Sequence, residues 1–127
     1  MKKYILLILS IIIFSGISFA SEYNMHVPLP GNTVANAKLQ YDTLMPAYMA
    51  VRTKVKSCDK MSVVNTKVTK EPYDLKYNKN GLAIAGKWEE IWYVKACQRQ
   101  FEVPIQFVLD PTGASYIIPT ANIKAKY

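Results

Sequence analysis

Two cysteines, Cys58 and Cys97, constrain this chain more than any other feature. They form the only pair available, and joining them closes a loop of about 40 residues between distant segments of a small domain. In the chain-entropy account such a cross-link contributes roughly 4 kcal/mol, a large share of what a modest core supplies. A redox couple would need cysteines about one turn apart with an activated thiol, and this spacing does not provide that. A structural disulfide is expected, and with it an oxidising compartment.

The first twenty residues, "MKKYILLILSIIIFSGISFA", agree with export. Lys2 and Lys3 form a positive start, Tyr4 to Phe14 an apolar run, and Ser18 and Ala20 supply small residues for a signal peptidase. A membrane anchor is the competing reading. Ser10, Ser15 and Gly16 interrupt the run, however, and no positive stop follows it, so cleavage is expected. No cysteine follows the cleavage position to carry a lipid, and no later apolar stretch is long enough to span a bilayer. What remains is 107 residues (127 minus 20), one domain with one core. Its formal net charge falls from +7 to +5 with the loss of two leader lysines. That charge favours a protein or an anionic envelope or host component as partner. It lacks the clustering of a nucleic-acid binder, and no nucleic acid is expected.

Residues 21–32, "SEYNMHVPLPGN", hold Pro28, Pro30 and Gly31 without periodicity and read as an extended arm. A single α+β domain is expected over 33–127. Ala37, Tyr41, Leu44, Tyr48, Val51 and Val55 recur at helical spacing. Pro46 interrupts them, which predicts either a kink or a principal helix running from about Leu44 to Ser57 with Pro46 in its first turn. Beyond Cys58 the pattern is extended: "MSVVNTKVTKE", "YDLKY" and "LAIAG" around an Asn-Gly turn, "KWEEIWYVKAC", "FEVPIQFVLD", and a last strand after "DPTG". Phe101, Val103, Ile105, Phe107 and Leu109 alternate with Glu102, Pro104, Gln106 and Asp110, one buried face and one wet. Pro104 on the wet register points to an edge or bulge. The expected architecture is one N-terminal helix on a twisted antiparallel meander of about four or five strands, an order reminiscent of cystatin-like folds.

The stretch "GKWEEIWYVKAC" carries the sharpest functional candidate. On a regular strand Trp88, Glu90, Trp92, Val94 and Ala96 share one face, which sets a carboxylate between two tryptophans. Such a group is either a tuned acid or an anchor for a ligand in an aromatic groove, or a glutamate at the solvent edge, paired with a lysine or arginine across the sheet and flanked by tryptophans that fill the core. Catalysis is poorly served. Glu89 faces the opposite side, and glycosidase chemistry needs two carboxyl groups across one cleft. His26 is the only histidine, in the arm, which excludes a histidine triad or a histidine-rich zinc site by count. No phosphate-cradling glycine loop or acidic calcium loop is present, and no cofactor or metal is expected. Arg52, Lys54 and Lys56 fall near the helix C-terminus, where cations complement the dipole and where an anion could bind. The lysines of "NTKVTKEPYDLKYNK" alternate with apolar residues, as on a solvated strand face or an anion-binding stripe.

"GKWEEIWYVKAC", a short polar turn, "FEVPIQFVLDPTG" and a final strand together resemble small uncharacterised exported proteins of Gram-negative bacteria. The resemblance covers about a third of the chain; Gln98 follows the cysteine here, where glycine is common in those proteins. It implies export to the bacterial envelope and brings no activity or ligand. The function expected is a small secreted or periplasmic non-enzymatic binding module, with Trp88, Glu90, Trp92, Arg52, Lys54 and Lys56 as candidate contacts. A small hydrolase or inhibitor dependent on Glu90, and a structural subunit pairing through the arm or an open sheet edge, are the alternatives.

Overall fold

The Asn36 side chain starts the helix by accepting a hydrogen bond from the Leu39 amide at 2.9 Å. The computed structural model describes residues 22–126, so the expected leader lies outside the described residues. Helix α1 (Ala37–Arg52) replaces the expected span of Leu44 to Ser57. The start was displaced because Pro46 does not begin the helix but sits within it. The carbonyl that the ring leaves without a donor belongs to Asp42, on the exposed flank where water can reach it. The end comes early because Thr53 turns its hydroxyl back onto the Ala50 carbonyl at 2.6 Å, and its backbone amide joins there at 3.2 Å. The buried stripe is also shifted. Leu39, Gln40 and Thr43 face the core, while Tyr41 is half exposed.

Strand β1 (Glu22–Tyr23) precedes the helix, so the helix is not the first element of the described residues. After α1 come β2 (Lys60–Tyr77), β3 (Ala83–Ala96), β4 (Arg99–Asp110), β5 (Gly113–Ile117), a short 3-10 turn and β6 (Lys124–Ala125). The sheet runs β1-β2-β3-β4-β5, with β6 beside β4. Its central strands form the expected antiparallel meander. With β1 parallel to β2 the sheet is mixed and curls into a half-barrel; among the described residues five strands form its main path and a sixth, β6, pairs beside it. Its concave face carries Trp88, Trp92 and Val94 of β3 and Phe101, Val103, Ile105 and Phe107 of β4, all buried against Leu44, Tyr48 and Val51 of α1. The ring of Trp88 stacks on Phe107 at 5.1 Å between centroids, and Trp92 tilts against the same phenylalanine at 6.0 Å. On the far side of β4, β6 pairs with Phe101 and Glu102 and β5 begins at Gln106, so Pro104 lies in the unpaired interval between them.

The arm is extended, as its composition suggests, and it is packed along β2. The Asn24 amide bonds the Met61 carbonyl at 2.9 Å, and the Asn32 amide bonds that of Thr66 at 3.1 Å. Gly31 makes this approach possible: its φ is +100°, and a Cβ there would lie 2.3 Å from the Thr66 carbonyl oxygen. Thr66, itself buried, donates its hydroxyl to the Pro30 carbonyl and accepts from the Thr33 amide. Gln40 closes the same seam from the helix, accepting from the Leu29 amide at 2.8 Å and donating to the Ala35 carbonyl at 2.7 Å.

The expected disulfide is present between Cys58, just before β2, and Cys97, in the turn between β3 and β4, with Cα atoms 5.9 Å apart. Replacing both cysteines by alanine should lower the unfolding free energy by roughly 4 kcal/mol, read from the denaturant midpoint. Tyr48 adds a pH signature. Its hydroxyl donates to the Asn24 carbonyl, and burial pushes the phenol up from 10.0 to about 12. The fold holds the neutral phenol, so this contribution is complete below pH 10 and fades as pH rises through 12. Tyr48→Phe should therefore show a shallower loss of stability than wild type across pH 10 to 12 in urea titrations.

Candidate functional site

Strand β3 places Trp88, Glu90 and Trp92 on one face, as the period-two reading requires, and all three are buried. Glu90, 1 % exposed, is not at a solvent edge, and no lysine or arginine among the described residues pairs with it. Its Oε2 accepts from the Trp88 indole N–H at 2.8 Å and from the Val34 amide at 3.0 Å, and its Oε1 accepts from the Trp92 indole N–H at 2.8 Å. Residues i and i+2 of a strand share a face, so one carboxylate engages the indoles on both sides of it. The third donor belongs to the loop that leads into α1. Trp88 and Trp92 line neither the depression at the disulfide end nor the one on the outer face of β3 and β4, and Glu90 borders the latter while its side chain stays buried.

No second acid faces Glu90. Glu89 lies on the other face, near the Tyr73 hydroxyl, and Glu102 and Asp110 are on the wet side of β4 and at its end. Asp110 is exposed, and the Thr112 hydroxyl and amide hold its carboxyl below the usual range. Among the described residues no group of three histidine, cysteine, aspartate or glutamate side chains could hold a metal ion.

The expected cationic group at the helix end is split. Arg52 is half-buried, its guanidinium donating to the Tyr23 hydroxyl at 2.5 Å, which clips β1 to the helix. Lys54 and Lys56 are exposed in the turn beyond α1. None of the three meets the tryptophan site. A depression of about 620 Å³ at the disulfide end contains Lys60 and Lys95, but Lys60 faces Glu22 at 3.4 Å. A second, of about 520 Å³ on the outer face of β3 and β4, is lined by Glu89, Ile91, Pro104 and Ile117 and carries no cation.

The lysine-bearing stretch that reads as a solvated strand face or an anion-binding stripe ends in a projecting β2–β3 hairpin. The pairing of β3 with β4 ends at Gly86 and Leu109, so the part of the hairpin beyond Gly86 is a two-stranded ribbon. On it Leu75, Tyr77 and Leu82 are 40, 59 and 64 % exposed. Lys76 and Lys79 are exposed beside them; Lys70, also exposed, lies at the base of the ribbon opposite Glu89, its ammonium 4.2 Å from the centre of the Tyr73 ring. The tip is ordered by its own backbone and by Asn78, whose Oδ1 accepts from the Asn80 and Leu82 amides. The signal was available in the lysine alternation, but the projection was not: it depends on β2 having 18 residues while β4 has 12. No protein-family model, curated protein or solved structure matches this chain.

Glu90→Gln replaces an acceptor oxygen by an amide group that cannot accept, leaving at least one buried N–H unpaired. It should reduce stability by about 1–3 kcal/mol, measured by chemical denaturation.

Proposed function

We propose that the protein is a small secreted or periplasmic non-enzymatic binding module that recognises an anionic envelope or host component through the projecting β2–β3 hairpin. The observation that carries this reading is the combination, on one ribbon outside the core, of exposed Leu75, Tyr77 and Leu82 with Lys76 and Lys79, and of exposed Lys70 at its base. Exposed apolar side chains rimmed by charge mark interaction surfaces, and lysines add long-range attraction to anionic partners. Residues 67–87 hold five lysines against Glu71 and Asp74, a net +3 of the +5 carried after leader removal. Export rests on the leader sequence, and the disulfide in a small domain is compatible with it. The helix followed by a meander is the order we liken to cystatin-like folds, and that likeness of topology carries no function. The closed, fully hydrogen-bonded surroundings of Glu90 favour binding over a Glu90-dependent hydrolase.

The test is co-sedimentation of the mature protein with phosphatidylglycerol vesicles, with neutral phosphatidylcholine vesicles, and with an immobilised anionic polysaccharide, across salt concentrations. Binding should require the anionic partner and weaken with salt. Neutralising Lys70, Lys76 and Lys79 to glutamine should weaken it about 100-fold, at about 1 kcal/mol per lysine near an anionic surface. The same change at Lys54 and Lys56 should have a smaller effect. Capture insensitive to salt and to the hairpin lysines would overturn the proposal.

A further inference from the structure

The two edges of the sheet, β2 and β5, are built differently. The β2 edge is covered as far as Thr66 by the arm. Beyond that it is broken by register slips between Val68 and Lys70, Lys70 and Tyr73, and Tyr73 and Lys76, by Pro72, and by Asp74 at a φ of +55°. These are the devices that keep an edge from pairing with another chain. Strand β5 has none of them. It is regular against β4 from Gly113 to Ile117, contains no proline or charged residue, and is exposed apart from Tyr116. No hydrogen bond among the described residues reaches it from its outer side.

The register identifies the groups left over. Asp110 and Gly113 close a two-residue hairpin and form its hydrogen-bonded pair. By alternation Gly113, Ser115 and Ile117 turn their backbone groups to β4, while Ala114 and Tyr116 turn theirs outward. An antiparallel partner must set outward-facing residues opposite one another. A second β5 centred on Ser115 does so, pairing Ala114 of each copy with Tyr116 of the other. Charge favours the same occupant. Copies carrying +5 repel one another, but residues 111–123, "PTGASYIIPTANI", hold no charged side chain in an otherwise basic chain. Ile117, 52 % exposed, adds an apolar contact at the rim.

We infer that the protein forms a two-fold homodimer by antiparallel pairing of β5 with β5 of a second copy, joining two half-barrels into one continuous sheet. The contact is self-complementary and closes on itself, so it yields dimers rather than filaments. Neighbouring hairpins turn at alternate ends of an antiparallel sheet, and the β2–β3 tip lies at the same end as the β4–β5 turn. Antiparallel pairing therefore points the two cationic ribbons to opposite ends of the dimer.

Sedimentation equilibrium of the full mature protein over a wide concentration range tests this, together with amide hydrogen exchange at low and high concentration. A monomer–dimer equilibrium is expected, with the Ala114 and Tyr116 amides gaining protection as concentration rises. Ala114→Pro removes an outward N–H and leaves the bonds to β4 intact, and Ile117→Lys sets lysines at the rim of both copies. Each should weaken dimerisation at least tenfold with an unchanged circular dichroism spectrum. A monomer at every concentration, exchange at Ala114 and Tyr116 that ignores concentration, or a dimer that both variants leave intact would each overturn the inference. Because exchange is read on the wild-type chain, the result stands even if a variant fails to fold. Vesicle binding by the hairpin is measured separately, so either proposal can fail alone.

Discussion

Glu90 holds this structure together at a point where a hydrophobic residue could not. A carboxylate removed from water is costly unless its oxygens find donors, and three N–H groups meet it. Two belong to indoles that would otherwise be buried with unpaired donors, so one side chain resolves three polar groups at once. Its geometry fixes how the tryptophans lie: Trp88 can then stack on Phe107, and Trp92 can fill the centre of the concave face. Through the Val34 amide it also sets where the chain enters α1. Sheet, aromatic core and helix approach are thus referred to one carboxylate.

The arm repeats this logic with neutral groups. Thr66 and Gln40 are buried polar side chains, and both hydrogen-bond backbone that belongs to no regular element. Non-repetitive chain can lie against a core only when its amides and carbonyls are satisfied, and these two residues do that for Leu29, Pro30, Thr33 and Ala35. The disulfide fastens the opposite end, and Cys97 there also bonds the Lys60 carbonyl through its amide at 3.0 Å. The half-barrel is thus fixed at its rim by a covalent tie and along its first edge by polar side chains.

This explains which parts of the fold were legible in the sequence. The faces of β3 and β4 were, because strand alternation is local and a slip of one residue would expose the whole core set. The disulfide was legible by count. The helix limits were not. Its buried stripe uses Gln40 and Thr43, which a hydrophobic pattern scores as outward, and Pro46 is tolerated only because Asp42 faces water on the finished surface. The partners of Glu90 were legible in principle, since Trp88 and Trp92 stand two residues away on the same face. An expected cation obscured them. The packing of the arm was invisible, because Gly31, Thr66 and Gln40 act across more than twenty residues or between different elements.

The same physics separates the two edges of the sheet. Covering an edge with chain requires side chains that complete the cover, and β2 has them as far as Thr66. Where the cover stops, the strand slips in register and carries proline and lysine, so its backbone no longer offers a template. Among the described residues no strand pairs with the outer edge of β5, and no register slip or proline interrupts it. Its short, uncharged run lies in a part of the chain that contributes nothing to the net charge. Among the described residues, features that hinder edge pairing lie along β2 and not along β5. A sheet protected uniformly against association would show both edges blunted, and the asymmetry is what points to a second copy at β5.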